Sequence, residues 1–262
     1  MDKDDYSIRS IKRGLSVLQA INRSGSLRLV DISKATGLPY PTACRIVETL
    51  VEAGMIVRDE AARKYRPTAL VQTLSVGYQE DHALVAKARP SIVALCKKLN
   101  WPITIATRVG NTMMIRDSTH RLTTLTFSNY APGYTLPLLE CSVGKAYVAF
   151  CDDDEHKNIM SSLSQLSSEE DKRAFQILND GFLVKKVRQD GFATHEYNQY
   201  TESPGKTSSL GVPIFIDGKI AGALGLIFFS STMSIKKAAD DYVEEMKLTA
   251  EAIGANTVAL SI

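Results

Sequence analysis

The chain has 262 residues, of which 44% are apolar, and a formal net charge of +2. This is more apolar material than one small core requires, so two domains are expected. The four Cys and four His are scattered without the spacing of metal ligands. That distribution argues against a disulfide framework and a zinc site, and we expect no cofactor.

Charge distinguishes the first 67 residues from the rest of the chain, and hydropathy gives no sign of a secreted or membrane protein. Residues 1–67 hold twelve Lys and Arg against eight Asp and Glu, whereas the remainder holds nineteen against twenty-one, so only the first part is basic. The segment MDKDDYS lacks the apolar core of a secretion signal, and the most apolar stretch, residues 211–229, is interrupted by Asp217 and Lys219. We therefore expect a soluble cytoplasmic protein without a membrane partner.

The first part of the chain predicts three helices. Residues 10–21 form the first, and Leu29, Ile32 and Ser33 share the inner face of the second, which ends at a turn permitted by Gly37. A third helix is expected to start near Pro41, with Tyr40 just outside it. Gly54 suits its C-terminal end. Its apolar stripe consists of Ala43, Ile46, Val47, Leu50 and Val51.

The opposite face of the third helix carries Thr42, Arg45 and Thr49, spaced to project together into a major groove. Arg45 is the first choice for a base edge, because arginine can form a bidentate pair with guanine. A solvated helix face is the alternative for these three residues. Cys44, beside Arg45, is expected to be a small buried or groove-facing residue, since an oxidation switch would need a lowered thiol pKa.

A hairpin follows the third helix. Residues 55–58 and 64–66 have strand character around a turn at 59–63. Its cations suit phosphates or a minor groove, although edge protection is the alternative. They are Arg58, Arg63, Lys64 and Arg66. Helix, turn, helix and basic hairpin together predict a winged helix-turn-helix domain over residues 1–67 that binds double-stranded DNA.

The remainder predicts a mixed α/β sensor domain over residues 82–262, reached through a linker helix within residues 68–81. A helix over 84–99 contains Pro90, which either kinks or divides it. Hairpins are expected at 103–117 and 208–229, and a strand at 122–127. Ser142 is expected to cap a helix that runs to Phe150. Further helices are expected at 155–163, 169–189 and from Ser234 onward.

Four segments resemble the IclR family of bacterial transcription regulators: SIKRGLSVLQAI, DISKATGLPYPTACRIVETLVEAGMI, LPLLECSVGKAYVAF, and RQDGFAT followed by LGVPIFIDGKIAGALGL. The resemblance covers nearly the whole chain. It implies an N-terminal winged helix domain, a linker helix and a C-terminal GAF-like effector domain, assembled as dimers or tetramers. The segment NWPITIATRVGNTMMIRDSTHRLTTLTF is similar to members that control aromatic-acid catabolism, especially of hydroxyphenylpropionate.

The chain departs from many of those relatives at the start of the reading helix. They have a basic residue and a serine where this chain has Tyr40 and Pro41. Because Pro41 cannot donate an amide to phosphate, we expect Tyr40 or Thr42 to position the helix there.

A small aromatic carboxylate requires an apolar slot with one cation and several hydroxyl donors. Arg116, His120 and Arg121 are the cationic candidates near a predicted strand end, and surface charge or a structural His is their alternative role. Cys141 and Ser142 precede a helix whose N-terminus favours an anion. The resemblance implies pocket residues at Ser208 and Ser209. Tyr134, His195 and Tyr197 are expected at the mouth, unless they only pack.

The expected function is a ligand-responsive transcription regulator of a catabolic operon that senses a small aromatic acid. It is expected to act as an activator that contacts RNA polymerase; a repressor, or an architectural DNA binder without a ligand, is the alternative. An enzyme would need Cys141 or Cys151 with a histidine base, and no GxSxG, GxGxxG or P-loop motif accompanies them. We therefore expect a protein that is not an enzyme.

Overall fold

The computed structural model describes residues 8–76, 83–126, 130–164, 169–199 and 204–258. Internal contacts divide the chain into two units, Met1–Glu80 and Asp81–Ile262. Each unit has its own hydrophobic core. Among the described residues, no helix has both the length and the apolar content needed to cross a bilayer.

The first unit contains three helices: α1 (Arg9–Ser24), α2 (Leu29–Thr36) and α3 (Tyr40–Glu52). Their inner faces meet in a small core, where each fully buried aliphatic side chain contributes about 1.5–3 kcal/mol. The core residues are Val17, Leu18, Ile21, Ile32, Ala43, Val47 and Ile56. Val51, expected in the apolar stripe of α3, is 39% exposed, because it lies past the edge of the face that contacts α1 and α2.

The turn between α2 and α3 follows from Gly37, whose φ of 65° ends α2 in the left-handed region. The hydroxyl of Ser33 donates to the carbonyl of Leu38 at 2.7 Å and fastens this turn. Pro39 then precedes the first residue of α3, which is Tyr40 and not Pro41. The expectation that Tyr40 lies outside the helix is therefore wrong: the extended conformation of Pro39 already supplies the boundary.

The end of α3 is closed by Gly54, with φ of 71°. The amide of Met55 donates to the carbonyl of Leu50 at 3.0 Å and that of Gly54 to Val51 at 2.9 Å. These two bonds satisfy carbonyls that the last helical turn leaves open. The chain can therefore reverse directly into the hairpin.

The hairpin consists of strands β1 (Ile56–Asp59) and β2 (Lys64–Pro67), as predicted. Leu27 pairs with Tyr65, which ties the hairpin to the segment between α1 and α2. This is a winged helix-turn-helix arrangement.

Thr68 follows the hairpin and joins three elements. Its hydroxyl donates to the carbonyl of Gly54 at 2.6 Å and accepts from the amide of Leu70. Ala69–Ser75 then form a 3-10 helix, where the sequence predicts an α-helical linker. Leu74 and Val76 are 62% and 78% exposed, so this segment buries too little apolar surface within its unit to stabilise an α-helix. Residues 77–81 of the predicted linker lie outside the described residues.

The second unit is built on a six-stranded antiparallel sheet in the order β5-β4-β3-β8-β7-β6. The strands are β3 (Ile103–Val109), β4 (Thr112–Ser118), β5 (Thr135–Pro137), β6 (Ala193–His195), β7 (Thr207–Ile216) and β8 (Lys219–Phe229). Both predicted hairpins, β3–β4 and β7–β8, are confirmed.

Helices cover both faces of the sheet. Helices α4 (Ala83–Leu99) and α9 (Ile235–Val258) pack on one face, and α4 is one continuous helix through Pro90. The other face carries α5 (Ser142–Phe150), α6 (Asp153–Ser164), α7 (Glu169–Asn179) and α8 (Phe182–Asp190). This is the mixed α/β fold that the sequence predicts.

Three predicted elements differ from the structure. The predicted helix over 169–189 is divided by Gly181, whose φ of 67° ends one helix and starts the next. The predicted strand over 122–127 is a 3-10 turn, His120–Leu122, followed by irregular chain to 126, while Phe127 lies outside the described residues. Ser142 does not cap α5; it is its first residue, because its hydroxyl is directed to the sheet.

Candidate functional site

The reading face of α3, composed of Thr42, Arg45 and Thr49, points away from the core of the first unit. Arg45 and Thr49 are exposed and Thr42 is half-buried. The hydroxyl of Thr49 donates to the carbonyl of Arg45 at 2.9 Å, which leaves its methyl group outward. Arg45 forms no ion pair with any described residue, so its guanidinium is available for a base edge.

The start of α3 offers few backbone donors. Pro41 has no amide, and the amide of Thr42 already donates to the carbonyl of Pro39 at 2.9 Å. Tyr40 is 51% exposed. The donors that remain at this end of the helix are the Tyr40 amide and the hydroxyls of Tyr40 and Thr42.

The wing, residues 56–67, divides its cations between two faces. Lys64 lies opposite Asp59, and Arg66 opposite Val57, on one face. Arg58 lies opposite Tyr65 on the other, with its Nε 3.5 Å from Glu60. Arg63, with φ of 51°, sits in the turn. Lys64 and Arg66 are therefore the exposed pair that shares one face.

The second unit contains a small cavity of about 20 Å³ at the N-terminus of α5, which opens partly to solvent. We refer to it as the first cavity. It lies on the face of the sheet that α5 covers, between β3, β4, β5, β7 and β8. Its lining residues are Thr104, Ile115, Tyr130, Leu136, Cys141, Ser142, Val143, Asn198, Thr207, Ser208, Ser209, Gly225 and Ile227.

Glycines bring α5 close to the sheet at this point. A Cβ on Gly211 would lie 2.6 Å from the carbonyl oxygen of Ser142, and one on Gly225 would lie 2.6 Å from Thr104 Oγ1. A Cβ on Gly144, within α5, would lie 1.7 Å from the carbonyl oxygen of Leu138. The first turn of α5, with its unsatisfied amides, is therefore held directly against the cavity.

Hydroxyl groups line the polar end of the first cavity. The Ser142 hydroxyl donates to Ser209 Oγ at 2.8 Å, and the Thr104 hydroxyl donates to the carbonyl of Gly225 at 3.4 Å. Thr207 is 4% exposed, and its Oγ1 has no hydrogen-bond partner among the described residues. An unpartnered buried hydroxyl costs about 1–3 kcal/mol, which a bound polar group would recover.

No Lys or Arg side chain is among the described residues that line the first cavity, where the sequence predicts one cation. The dipole and open amides of α5 supply positive potential instead. The apolar side is formed by Ile115, Leu136 and Ile227. This arrangement suits a small anion with an apolar body.

The predicted effector residues do not come together in one cavity. Cys141, Ser142, Ser208 and Ser209 line the first cavity, but the Ser208 hydroxyl bonds to Ser230 Oγ at 2.9 Å. Sequence reasoning missed Thr207, although alternation along β7 sets it on the same face as Ser209. It also missed Thr104, Tyr130 and Asn198, which come from other elements.

His120 and Arg121 border a second cavity near the end of β4, described below. Arg116 lines neither cavity; its Nη1 contacts Met114 Sδ at 3.7 Å, since it lies on the face of β4 opposite Ile115 and Asp117. Tyr134 packs edge-on against Tyr130 with 5.3 Å between ring centroids.

His195 and Tyr197 do not line the first cavity, although the Tyr197 amide donates to Ser208 Oγ at 3.3 Å. Lys145 Nζ lies 3.0 Å from His195 Nδ1, and burial together with this cation lowers the pKa of His195 to about 4. Tyr197 is 56% exposed and lines a third, open cavity with Lys206 and Phe229.

The cysteines are unsuited to nucleophilic or redox chemistry. Burial raises the pKa of Cys141 to about 12 and that of Cys151 to about 11. The hydrogen bond to Glu48 raises the pKa of Cys44, so the lowered pKa that an oxidation switch needs is absent there. Within the described ranges, no group of three or more His, Cys, Asp or Glu could hold a metal ion.

A winged helix-turn-helix unit joined to an α/β unit with a hydroxyl-lined cavity defines a class of DNA-binding transcription regulators with an effector domain. The family models agree. Residues 10–60 match the IclR helix-turn-helix domain, and residues 76–255 match the bacterial transcriptional regulator IclR C-terminal domain. The chain belongs to the IclR family, whose members are transcription regulators and not enzymes.

Individual relatives are distant. The HTH-type transcriptional regulator TsaQ1/TsaQ2 of Comamonas testosteroni is 26% identical over 158 residues, which cover 60% of this chain and 56% of that protein. An IclR family regulator from Brucella abortus shares the fold with a TM-score of 0.62, 21% identity, and coverage of 97% and 94%. An IclR homologue from Microbacterium hydrocarbonoxydans, complexed with 4-hydroxybenzoate, has a TM-score of 0.60, 18% identity, and coverage of 95% and 98%.

Proposed function

We propose that this regulator controls a catabolic operon in response to a small aromatic carboxylic acid bound in the first cavity. The observation that carries the proposal is the buried, unpartnered hydroxyl of Thr207 in the cavity that the first turn of α5 also lines. A carboxylate there accepts from the hydroxyl and from open amides, while its ring packs on Ile115, Leu136 and Ile227. The 4-hydroxybenzoate complex of the homologue with the same fold supports this class of ligand.

The DNA side of the proposal rests on the reading face and the wing. Arg45 reads a base edge, Thr42 and Thr49 contact phosphate or a thymine methyl, and Tyr40 beside Pro41 positions the start of α3. The wing cations contact the flanking backbone. These are Arg58, Arg63, Lys64 and Arg66. The DNA-binding domain spans residues 1–67, a linker 68–81, and the effector and oligomerisation domain 82–262.

A homodimer or homotetramer presents two or more reading helices to operator half-sites. Three apolar residues of the first helical region, Ile8, Ile11 and Leu15, are 61%, 55% and 52% exposed, which supports pairing with a second copy. Effector binding then favours one arrangement of the subunits over another. As an activator, the protein contacts RNA polymerase when the acid is bound.

The test is fluorescence anisotropy on DNA tiled across the upstream intergenic region, at two salt concentrations, with and without 4-hydroxybenzoate and 3-(3-hydroxyphenyl)propionate. Salt-sensitive binding to one tile that an acid alters is the expected result. Transcription in vitro from that tile separates an activator from a repressor. DNA binding without any thermal shift from either acid would instead identify an architectural binder.

A further inference from the structure

The second cavity lies in the second unit, between α4, the end of β4 and the chain that leads to β5. Its volume is about 280 Å³, and its mouth is open to solvent. Its lining residues are Arg89, Asp117, Ser118, His120, Arg121, Tyr130, Ala131 and Pro132. Tyr130 also borders the first cavity, but no other lining residue is shared.

His120 is the buried polar side chain of this cavity, at 6% exposure. Ser118 Oγ accepts from the His120 amide at 3.2 Å and also lies in hydrogen-bond contact with the ring Nδ1. The Ser118 hydroxyl can donate its proton to Nδ1, and in the tautomer so assigned the ring proton lies on Nε2. Nε2 has no partner among the described residues. In this tautomer the ring has one buried donor without an acceptor.

The charge around the second cavity is positive. Arg89 binds Asp117 Oδ1 at 2.7 Å and the Ser118 carbonyl at 3.0 Å, both through Nη1, which leaves Nε and Nη2 for another acceptor. Asp117 is further occupied by the Ser118 amide at 2.7 Å. Arg121 is exposed and forms no ion pair with the residues that the structure describes. Two guanidinium groups thus face one carboxylate that is already bound.

We propose that the second cavity is a separate binding site for a small carboxylate. The carboxylate accepts hydrogen bonds from Arg121, from the remaining donors of Arg89 and from His120 Nε2. The proposal does not depend on the function assigned to the first cavity.

The lining favours a monoanion with an aromatic body. One uncompensated positive charge matches one carboxylate better than a doubly charged phosphate. The His120 and Tyr130 rings, with centroids 4.7 Å apart, form an aromatic wall against which a flat ligand can pack. Benzoate is therefore the simplest probe.

The test uses NMR of the full chain labelled with ¹³C at histidine Cε1, since the protein has only four histidines to distinguish. The variant His120→Gln identifies the His120 signal. Titration with sodium benzoate is expected to shift that signal saturably. The variant Arg121→Gln is expected to raise the benzoate concentration at the titration midpoint about tenfold, because it removes a charge-assisted donor. The matched control Arg173→Gln removes an exposed cation of α7 that lines neither cavity, and it should leave the midpoint unchanged.

Two further comparisons separate this site from the first cavity and from ordinary salt. In Thr207→Val, altered only in the first cavity, the His120 response should persist with the same midpoint. Loss of the response in Thr207→Val, with no effect of Arg121→Gln, would mean that the signal is transmitted from the first cavity, and the proposal would be overturned. The proposal would also be overturned if benzoate did not change the chemical shift of His120. The same holds if sodium chloride changed that shift as much as sodium benzoate does. Neither outcome affects the thermal-shift test of the first cavity.

Discussion

The hydroxyl of Ser142, the first residue of α5, donates to the hydroxyl of Ser209 on β7 at 2.8 Å, and both side chains are buried. This bond spans 67 positions of the chain and fixes the helix start against the strand that carries Thr207. The polar end of the first cavity therefore has a fixed shape before any ligand enters it.

Replacement of Thr207 by valine should separate ligand binding from stability. Because Thr207 Oγ1 has no partner, Thr207→Val removes an unpaired buried hydroxyl at nearly constant volume, and thermal unfolding should be unchanged or slightly higher. Binding of 4-hydroxybenzoate should weaken about tenfold by calorimetry. Thr107 also has an unpartnered buried hydroxyl but lines none of the three cavities, so Thr107→Val is the matched control. Equal weakening in both variants would contradict the assigned ligand position.

Loss of Arg45 should remove sequence preference while leaving the fold intact. Arg45→Ala is expected to reduce the ratio of cognate to scrambled affinity by about 5- to 150-fold, since a bidentate contact to guanine provides roughly 1–3 kcal/mol of discrimination. Anisotropy with both DNAs measures the ratio. Arg173→Ala removes the same charge from α7 as a control. An unchanged ratio in Arg45→Ala would rule out a base contact.

The wing should behave differently from the reading face. Arg66→Ala is expected to weaken cognate and scrambled DNA alike and to lower the slope of log affinity against log salt by about 1, as for a lost phosphate contact. Arg58→Ala should have a smaller effect, because Arg58 lies beside Glu60 and on the other face of the hairpin. A salt titration of both variants provides the test, and the reverse order of effects would exclude Lys64 and Arg66 as the DNA-facing pair.

Gly144 should tolerate no side chain. A Cβ there would lie 1.7 Å from the Leu138 carbonyl oxygen and 2.7 Å from its carbon, both backbone atoms that cannot turn aside. Gly144→Ala is expected to lower the free energy of unfolding by about 3 kcal/mol or more in urea denaturation. Gly14→Ala, in α1, meets nothing within 4 Å and should be neutral or stabilising. Equal stability of both variants would show that α5 can move away from residues 138–141.

His120 should make stability depend on pH. Burial lowers its pKa from 6.5 to about 4, so between these values the unfolded chain binds a proton that the folded protein does not. Stability is therefore full above pH 6.5 and falls as the pH approaches 4, by about 3 kcal/mol from this residue. His195 titrates in the same window, so the parent must be compared with His120→Gln by denaturation at each pH. Parallel curves for the two proteins would contradict the burial of a neutral His120.

The reading helix and the wing were predictable because their signals are local. Gly37 and Gly54 adopt the left-handed conformations that their positions predict, and the three-and-four spacing places Ala43 and Val47 in the core. The hairpin turn at Asp217 and Gly218 is equally local. In each case the deciding contacts join residues close together in sequence.

The first cavity could not be assembled in this way. Its polar end requires Thr104 of β3 beside Gly225 of β8, and Ser209 of β7 beside the start of α5. These pairings depend on a sheet order in which β3 and β8 are neighbours although they are far apart in the sequence. Strands β5 and β6 have only three residues each, which is too short for an alternation of apolar and polar residues to be recognised in the sequence. Gly181 was a visible breaker inside the predicted helix over 169–189, and the apolar spacing on both sides concealed it.

Thr68 has a mechanical consequence. Its hydroxyl is bonded to the carbonyl of Gly54, the residue that closes the reading helix, and it caps the 3-10 helix that continues toward the effector domain. The segment 69–76 is therefore attached to the C-terminal end of α3 and not to the tip of the wing, so a force transmitted along it would act on that end of the helix. If α3 rotated about this end, Tyr40 and Thr42 would be displaced further than Thr49, because they lie further from Thr68 along the helix.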